Sequence, residues 1–260
     1  MADIEKPAIE DAKSVKTMKG LLSEILPTAN DVSRVLAYVN GEIRKEAATL
    51  KRNPDASTPV TNNSVEQVVS LVNKFWNLGL VVDGVNVVIT GVDMAMVTYH
   101  GYKNKVIQTY PSATFDVQLV REGDTFKVSK KDGKVSYSHD IGDPFEASKI
   151  RGAYCVIKID NQDYFEALNR EDYDKMRNSS KQSFLWDKWE SEFVLKSVIK
   201  RACKRHFNDA IADIEKIDNE DYGSVSSSEP QKKSDDGKLA AQERSRRAIE
   251  KAQEIANADS

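Results

Sequence analysis

The chain has 260 residues, 40% hydrophobic and 30% charged, with a formal net charge of −3, which allows one large domain or two small ones with a real core. No apolar run approaches the roughly 20 residues that cross a bilayer, and the opening MADIEKPAIEDAKSVK lacks the apolar stretch of a secretory signal. Two cysteines, Cys155 and Cys203, exclude a disulfide framework and read as reduced, buried thiols in a cytoplasmic protein.

The N-terminal residues, 1–20, are charged and show no clear apolar face, so residues 1–28 read as an arm available for oligomer contact. A helix is expected over ANDVSRVLAYVNGEIRK, with Val32, Val35, Leu36, Val39 and Ile43 at helical spacing and Asn30 or Asp31 as its cap. KRNPDASTPVTNN breaks it with two prolines and several turn formers. Ser64 then opens a second helix in a capping box with Gln67, and Gly79 ends it. A β region follows. VNVVIT is rich in branched residues, MAMVTYHGYKNKVIQ alternates less cleanly, and ATFDVQLV, DTFKVSKKDGKVSYSH and RGAYCVIKID continue it, with turns at KKDGK and DNQDY. NREDYDKMRNSS reads as a helix capped at Asn169, and a long helix is expected from about Phe184 to Phe207.

From residue 218 the chain turns polar and rich in Ser and Asp, so 218–238 reads as a disordered linker and 239–260 as a small helical tail. Residues 218–260 hold 10 acids and 7 bases, a net of −3. The body, 29–217 with its arm, is therefore neutral, and any affinity for a polyanion depends on clustering of its cations.

Such a cluster occurs in the last long helix. With each residue advancing about 100°, Lys196, Lys200, Arg201, Lys204 and Arg205 occupy one half of the wheel. Val198, Ala202, Leu195, Ile199 and Cys203 occupy the other. Between 193 and 208 no acid lies on the same helix to neutralise them. Like charges at i,i+4 destabilise a helix by a few tenths of a kcal/mol each, a repulsion that a bound polyanion relieves. Trp186 and Trp189 leave two roles open, stacking on bases or anchoring the core, and Tyr102 in HGYKNK is an aromatic candidate for base stacking.

Several of these stretches, in order, resemble the RecT family of phage and prophage single-strand annealing recombinases. FWNLGL matches the glycine–leucine end of a family helix. VTYHGYKNK matches a G-Y-K-G-type element, REGDTFKV an E-x-D-x-F-like strand, and RGAYCVIKI a G-x-Y-A-type strand. NREDYDKMRNSS matches a charged K-x-R-x-x-S stretch, and KSVIKRACKRH a basic K-x-x-I helix. There are two departures. Asn104 stands where the family has its second glycine, and no cation follows Lys105 in VIQTYPSATF. The resemblance spans about residues 30–210 and implies an α+β fold, a twisted antiparallel sheet and hairpins flanked by helices, with 29–217 as the DNA-binding annealing core.

The resemblance also implies single-stranded DNA binding and annealing without ATP or a cofactor, in a homo-oligomer, either a helical filament or a ring, beside a 5′→3′ exonuclease. It makes Lys196, Lys200, Arg201 and Lys204 phosphate contacts, with Arg205 extending their face. Lys103 and Lys105 join them from the G-Y-K element, whereas Arg177 and Lys181, in the charged stretch, either line the same groove or cap a helix. A host single-strand-binding protein is an expected partner for the C-terminal tail. Two other readings stand beside this one. A metal-dependent nuclease would use Asp93, Asp116, Glu122 and Asp124. A non-enzymatic scaffold would bind an acidic protein with the same basic helix.

Overall fold

The structure is a computed structural model; it describes residues 17–131, 133–143, 145, 148–180 and 183–225. The order is α1 (Met18–Ile25), α2 (Ala29–Leu50), α3 (Val65–Trp76), β1 (Val87–Gly91), β2 (Met94–Val97), α4 (Tyr99–Thr109) and β3 (Thr114–Arg121). It continues with β4 (Thr125–Lys131), β5 (Lys134–Asp140), β6 (Ile150–Ile159), β7 (Gln162–Asn169), α5 (Arg170–Ser179), α6 (Ser183–His206) and α7 (Asn208–Val225). This is the expected α+β architecture. None of the described helices is long and apolar enough to cross a membrane.

All strand pairs are antiparallel: the ribbon β1–β2, the sheet β3–β6–β7 and the hairpin β4–β5. The central strand β6 explains the layering. Successive side chains on a strand point to opposite faces. Ala153, Cys155 and Ile157 enter the main core with Val194, Val198, Ala202 and Cys203 of α6. Tyr154 and Val156 face the other way and form a second, smaller core with Val120, on which Phe126 and Tyr137 of the hairpin pack. The hairpin therefore covers one face of the sheet, and the helices cover the other. Gly152 permits the close strand pairing, since a Cβ there would stand 2.4 Å from the Leu168 carbonyl oxygen.

Local signals set many of the boundaries. Ser64 and Gln67 form the expected capping box, and Asn169 accepts from the Asp172 amide to start α5. The turns at KKDGK and DNQDY join β4 to β5 and β6 to β7, with Gly133 and Asp160 at positive φ. Buried Glu46 accepts the amides of Val60 (2.9 Å) and Thr61 (2.8 Å), which fixes the proline-containing connection after α2.

The structure departs from the sequence reading in several places. α2 is capped by Thr28, whose hydroxyl accepts from the Asp31 amide, and not by Asn30 or Asp31. α1 lies inside the span expected to be an arm, yet Met18 and Leu22 are buried in the main core. HGYKNK belongs to helix α4, not to a strand; the Thr98 hydroxyl accepts from the His100 and Gly101 amides and starts it. α6 is interrupted at Trp189, whose φ of −130° and ψ of 34° are not helical. α7 continues past residue 218 to Val225, into the stretch read as linker. The tail expected at 239–260 lies outside the described residues.

Candidate nucleic-acid interface

After its break at Trp189, α6 lies against β6, β7, β3 and α4. Val198, Ala202 and Cys203 are fully buried and Ile199 is buried, while Leu195 is half-buried, so most of the apolar half of the wheel is sealed as expected. Burial pushes both thiols, Cys155 and Cys203, up to about 12, which keeps them protonated and inert.

The opposite half lines two open cavities. One, of about 470 Å³, is bounded by Met176, Ser197, Lys200, Arg201, Lys204 and Arg205. The other, of about 760 Å³, runs from Ser197 and Lys200 past Lys196 toward Phe193, Tyr99 and His100. Ser197 and Lys200 border both, so the two adjoin and form a trough along this side of the helix. All five cations that the sequence singled out on α6 line it.

Among the described residues, Arg201, Lys204 and Arg205 nonetheless have carboxylate partners. Arg201 donates to Glu166 (2.9 Å) and Asp172 (2.7 Å), Arg205 to Glu166 (3.2 Å), and Lys204 stands 3.1 Å from Glu215. The expectation of an unneutralised face considered only acids on the same helix. These come from β7, α5 and α7, brought in by tertiary packing. The partners differ in kind. Glu166 is buried, its side chain 4% exposed, and is shared by two arginines. Asp172 and Glu215 remain 31% and 24% exposed. Burial alone would raise the Glu166 carboxyl, but its hydrogen bond from His206 and the charges of Arg205 and Arg201 hold it below the usual glutamate value.

The two lysines at the other end are held by rings. Lys196 Nζ lies 5.9 Å from the ring centre of Tyr99 and 5.4 Å from that of Phe193. Among the described residues it pairs with no carboxylate. Lys200 Nζ donates to the Val97 carbonyl (3.2 Å) and sits 4.6 Å from the Tyr102 ring centre. Lys204 is 5.4 Å from the same ring. Tyr102 is fully buried, which corrects its assignment as a base-stacking platform: its face supports two ammonium groups from below, by the attraction between a cation and an aromatic quadrupole.

The remaining candidates have local partners. Lys103 packs over the Phe115 ring at 5.0 Å, and Lys105 donates to the Leu78 carbonyl (2.9 Å), tying α4 to the end of α3. Asn104 hydrogen-bonds Asn86, which gives a physical reason for its presence at a family glycine position. Arg177 forms an ion pair with Asp187, between α5 and α6. Lys181 lies outside the described residues. Of the tryptophans, Trp186 is 5% exposed and stacks on Phe193, whereas Trp189, at the break in α6, is 52% exposed.

The four acids offered for a nuclease are separated in use. Asp93 accepts from Gln67 (2.7 Å) at the turn after β1. Asp116 lies on β3 opposite Val156, and Glu122 is exposed in the turn after β3. Asp124 accepts the amides of Arg121 (2.7 Å) and Gly142 (3.0 Å) and pairs with His139 (3.0 Å). Among the described residues no group of three or more His, Cys, Asp or Glu is arranged to hold a metal ion.

Sequence reasoning did not single out Tyr99, His100, Phe193 or Met176 on the trough wall. Tyr99 and His100 stand immediately before the G-Y-K element, which was the available signal. The carboxylates of Glu166, Asp172 and Glu215 carry none, because nothing local marks them as neighbours of α6.

A family model described as the RecT family matches residues 40–236 of the chain. No curated protein and no solved structure matches it.

Proposed function

The chain belongs to the RecT family, the single-strand annealing proteins of recombination, and we propose that it pairs complementary DNA strands without ATP by gripping sugar–phosphate chain in the α6 trough. The observation that carries this reading is the row of Lys196, Lys200, Arg201, Lys204 and Arg205 along two cavities that adjoin at Ser197 and Lys200. Phosphate contacts carry no base information, so the grip is independent of sequence. Cations on the backbone lower the repulsion between two strands, and base pairing supplies the free energy of annealing.

The carboxylate partners are compatible with this role. A partly exposed ion pair contributes about 0–1 kcal/mol, so a phosphate can replace Asp172 and Glu215 at little cost. Buried Glu166 stays in place and fixes the direction of both arginines. Lys103, packed over Phe115, and Lys105 and Arg177, held by Leu78 and Asp187, line neither cavity and are secondary contacts at most. The family resemblance further supports a homo-oligomer that aligns many short sites along one strand, acting in the cytoplasm of a bacterial host. It also supports a companion 5′→3′ exonuclease and contact with the host single-strand-binding protein through the C-terminal tail.

The test is a gel shift in which two complementary oligonucleotides are added in turn, without nucleotide. The protein is expected to retain the first strand and convert the second to duplex faster than spontaneous pairing. Lys196→Ala with Lys200→Ala weakens the first binding step while the protein still unfolds cooperatively, with a midpoint lowered only by the loss of the Lys200–Val97 hydrogen bond and the ring contacts. Wild-type binding followed by no acceleration of pairing leaves a passive binder. An absence of binding, with tight capture of an acidic protein, favours the scaffold reading.

A further inference from the structure

The wider end of the trough differs chemically from the rest. Between Lys200 and the break in α6 its wall is aromatic: Tyr99 and His100 from the start of α4, and Phe193 from α6. Tyr99, His100 and Phe193 are all half-buried, so each keeps part of its surface open. The Tyr99 and His100 rings stand 3.9 Å apart at 37°, and Phe193 is backed by Trp186 at 4.9 Å and 26°. Lys196 lies between the Tyr99 and Phe193 faces. Val85, about half exposed, adds apolar surface at the rim. Among the described residues the one acid on this wall is Glu192. The volume of the cleft, about 760 Å³, falls within the roughly 300–1,000 Å³ of small-molecule pockets.

From this juxtaposition we propose that the Tyr99–His100–Phe193 cleft accepts unpaired nucleobases of the strand whose phosphates lie along α6. The proposal rests on the reading of the trough as a DNA groove, and it deepens it. Two features commit the cleft to bases and not to a protein side chain. It adjoins, at Ser197 and Lys200, the row of cations, so a strand lying there brings bases to the cleft by its own covalent geometry. Lys196 Nζ stands 5.9 Å from the Tyr99 ring centre and 5.4 Å from that of Phe193, where a phosphate can be held while the attached base lies against a ring. Stacking accepts every base, because each has a π face, in keeping with sequence-independent annealing. His100 suits this as a neutral ring: burial, with the positive charges of Lys103 and Lys196, holds its imidazole below the usual value. The consequence is mechanistic. A base kept on a ring is held out of stacking with its neighbours, with its pairing edge available to a second strand.

Fluorescence anisotropy with labelled oligothymidylate and with an abasic deoxyribose-phosphate chain of equal length, over a salt series, tests the proposal. Wild-type protein is expected to bind oligothymidylate more tightly than the abasic chain. Tyr99→Leu is expected to lower oligothymidylate affinity by about 5- to 150-fold, the range for one stacked base, while the abasic chain and the salt slope stay unchanged. Tyr99→Phe keeps the ring and restores the difference. Val85→Gln, neutral and longer at the exposed rim, narrows the mouth of the cleft and is expected to give a loss selective for oligothymidylate without altering a packed ring. Equal wild-type affinity for the two chains, or a Tyr99→Leu loss that falls equally on both, overturns the base cleft and leaves the phosphate trough standing. Failure of wild-type protein to bind either chain overturns the trough, and the cleft with it.

Discussion

Glu166 shows how one side chain can organise a cationic surface. Its carboxylate receives Arg201 and Arg205 and stands 3.5 Å from His206 Nε2, from a position on β7 beneath α6. A helical wheel assigns the arginines to the correct half of α6, because burial of Val198, Ala202 and Cys203 dictates it. It cannot reveal Glu166, because that contact joins residues far apart in sequence. Glu166→Gln keeps the shape and removes the charge, leaving two guanidinium groups without their anchor. The expected loss is about 1–3 kcal/mol, the range for a hydrogen bond to a charged group, read as a lower urea midpoint at pH 7. The pH dependence follows from the direction of the shift. A carboxyl whose folded value lies below its ordinary 4.5 contributes its full stability above that ordinary value. It loses that contribution as pH falls through the folded value. The wild-type advantage over Glu166→Gln therefore shrinks on acidification below pH 4.5; an advantage that is independent of pH contradicts the assignment.

At the scale of elements, legibility followed the strength of local signals. The capping box at Ser64, the cap at Asn169 and the turn at Gly133 were all readable, because each satisfies backbone groups with a neighbour in sequence. α4 was not. Its branched and aromatic residues resemble strand, and the element depends on a single capping hydroxyl, Thr98, whose own hydroxyl donates to the Val85 carbonyl. Gly101 completes the fit: a Cβ there would lie 2.6 Å from the Asn86 carbonyl oxygen and 2.5 Å from Val97 Cγ1. The glycine of the G-Y-K element is thus a packing requirement that lets α4 approach the start of β1 and carry Tyr99, His100 and Tyr102 to α6. Gly101→Ala is expected to lower stability by about 1–3 kcal/mol, as for overpacking, despite the better helix propensity of alanine. Gly41→Ala in α2, where nothing lies within 4 Å of the added Cβ, is expected to raise it by roughly 0.5–1 kcal/mol. Chemical denaturation of the two variants side by side separates crowding from propensity.

At the scale of the molecule, a body without net charge presents a cationic trough because its acids are sequestered unequally. The sequence made the cluster legible and the accounting of its partners illegible, and the difference should be visible in salt dependence. For single-stranded DNA the slope of log affinity against log salt is about −0.7 per phosphate neutralised. Five independent cations would give roughly −3.5 per subunit, and Lys196 with Lys200 alone roughly −1.4. Arg201, Lys204 and Arg205 lie between these limits. In free protein their carboxylates already hold them, and salt weakens those internal pairs as it weakens the DNA contacts, so part of the dependence cancels. Asp172→Asn with Glu215→Gln removes the two exposed partners and leaves Glu166 to orient the arginines. Affinity should rise at low salt and the slope should steepen toward the five-cation limit, with the difference from wild type closing at high salt. A slope that stays at the wild-type value, with unchanged affinity, would mean that Arg201 and Lys204 never exchange a carboxylate for a phosphate. The grip would then rest on Lys196, Lys200 and Arg205.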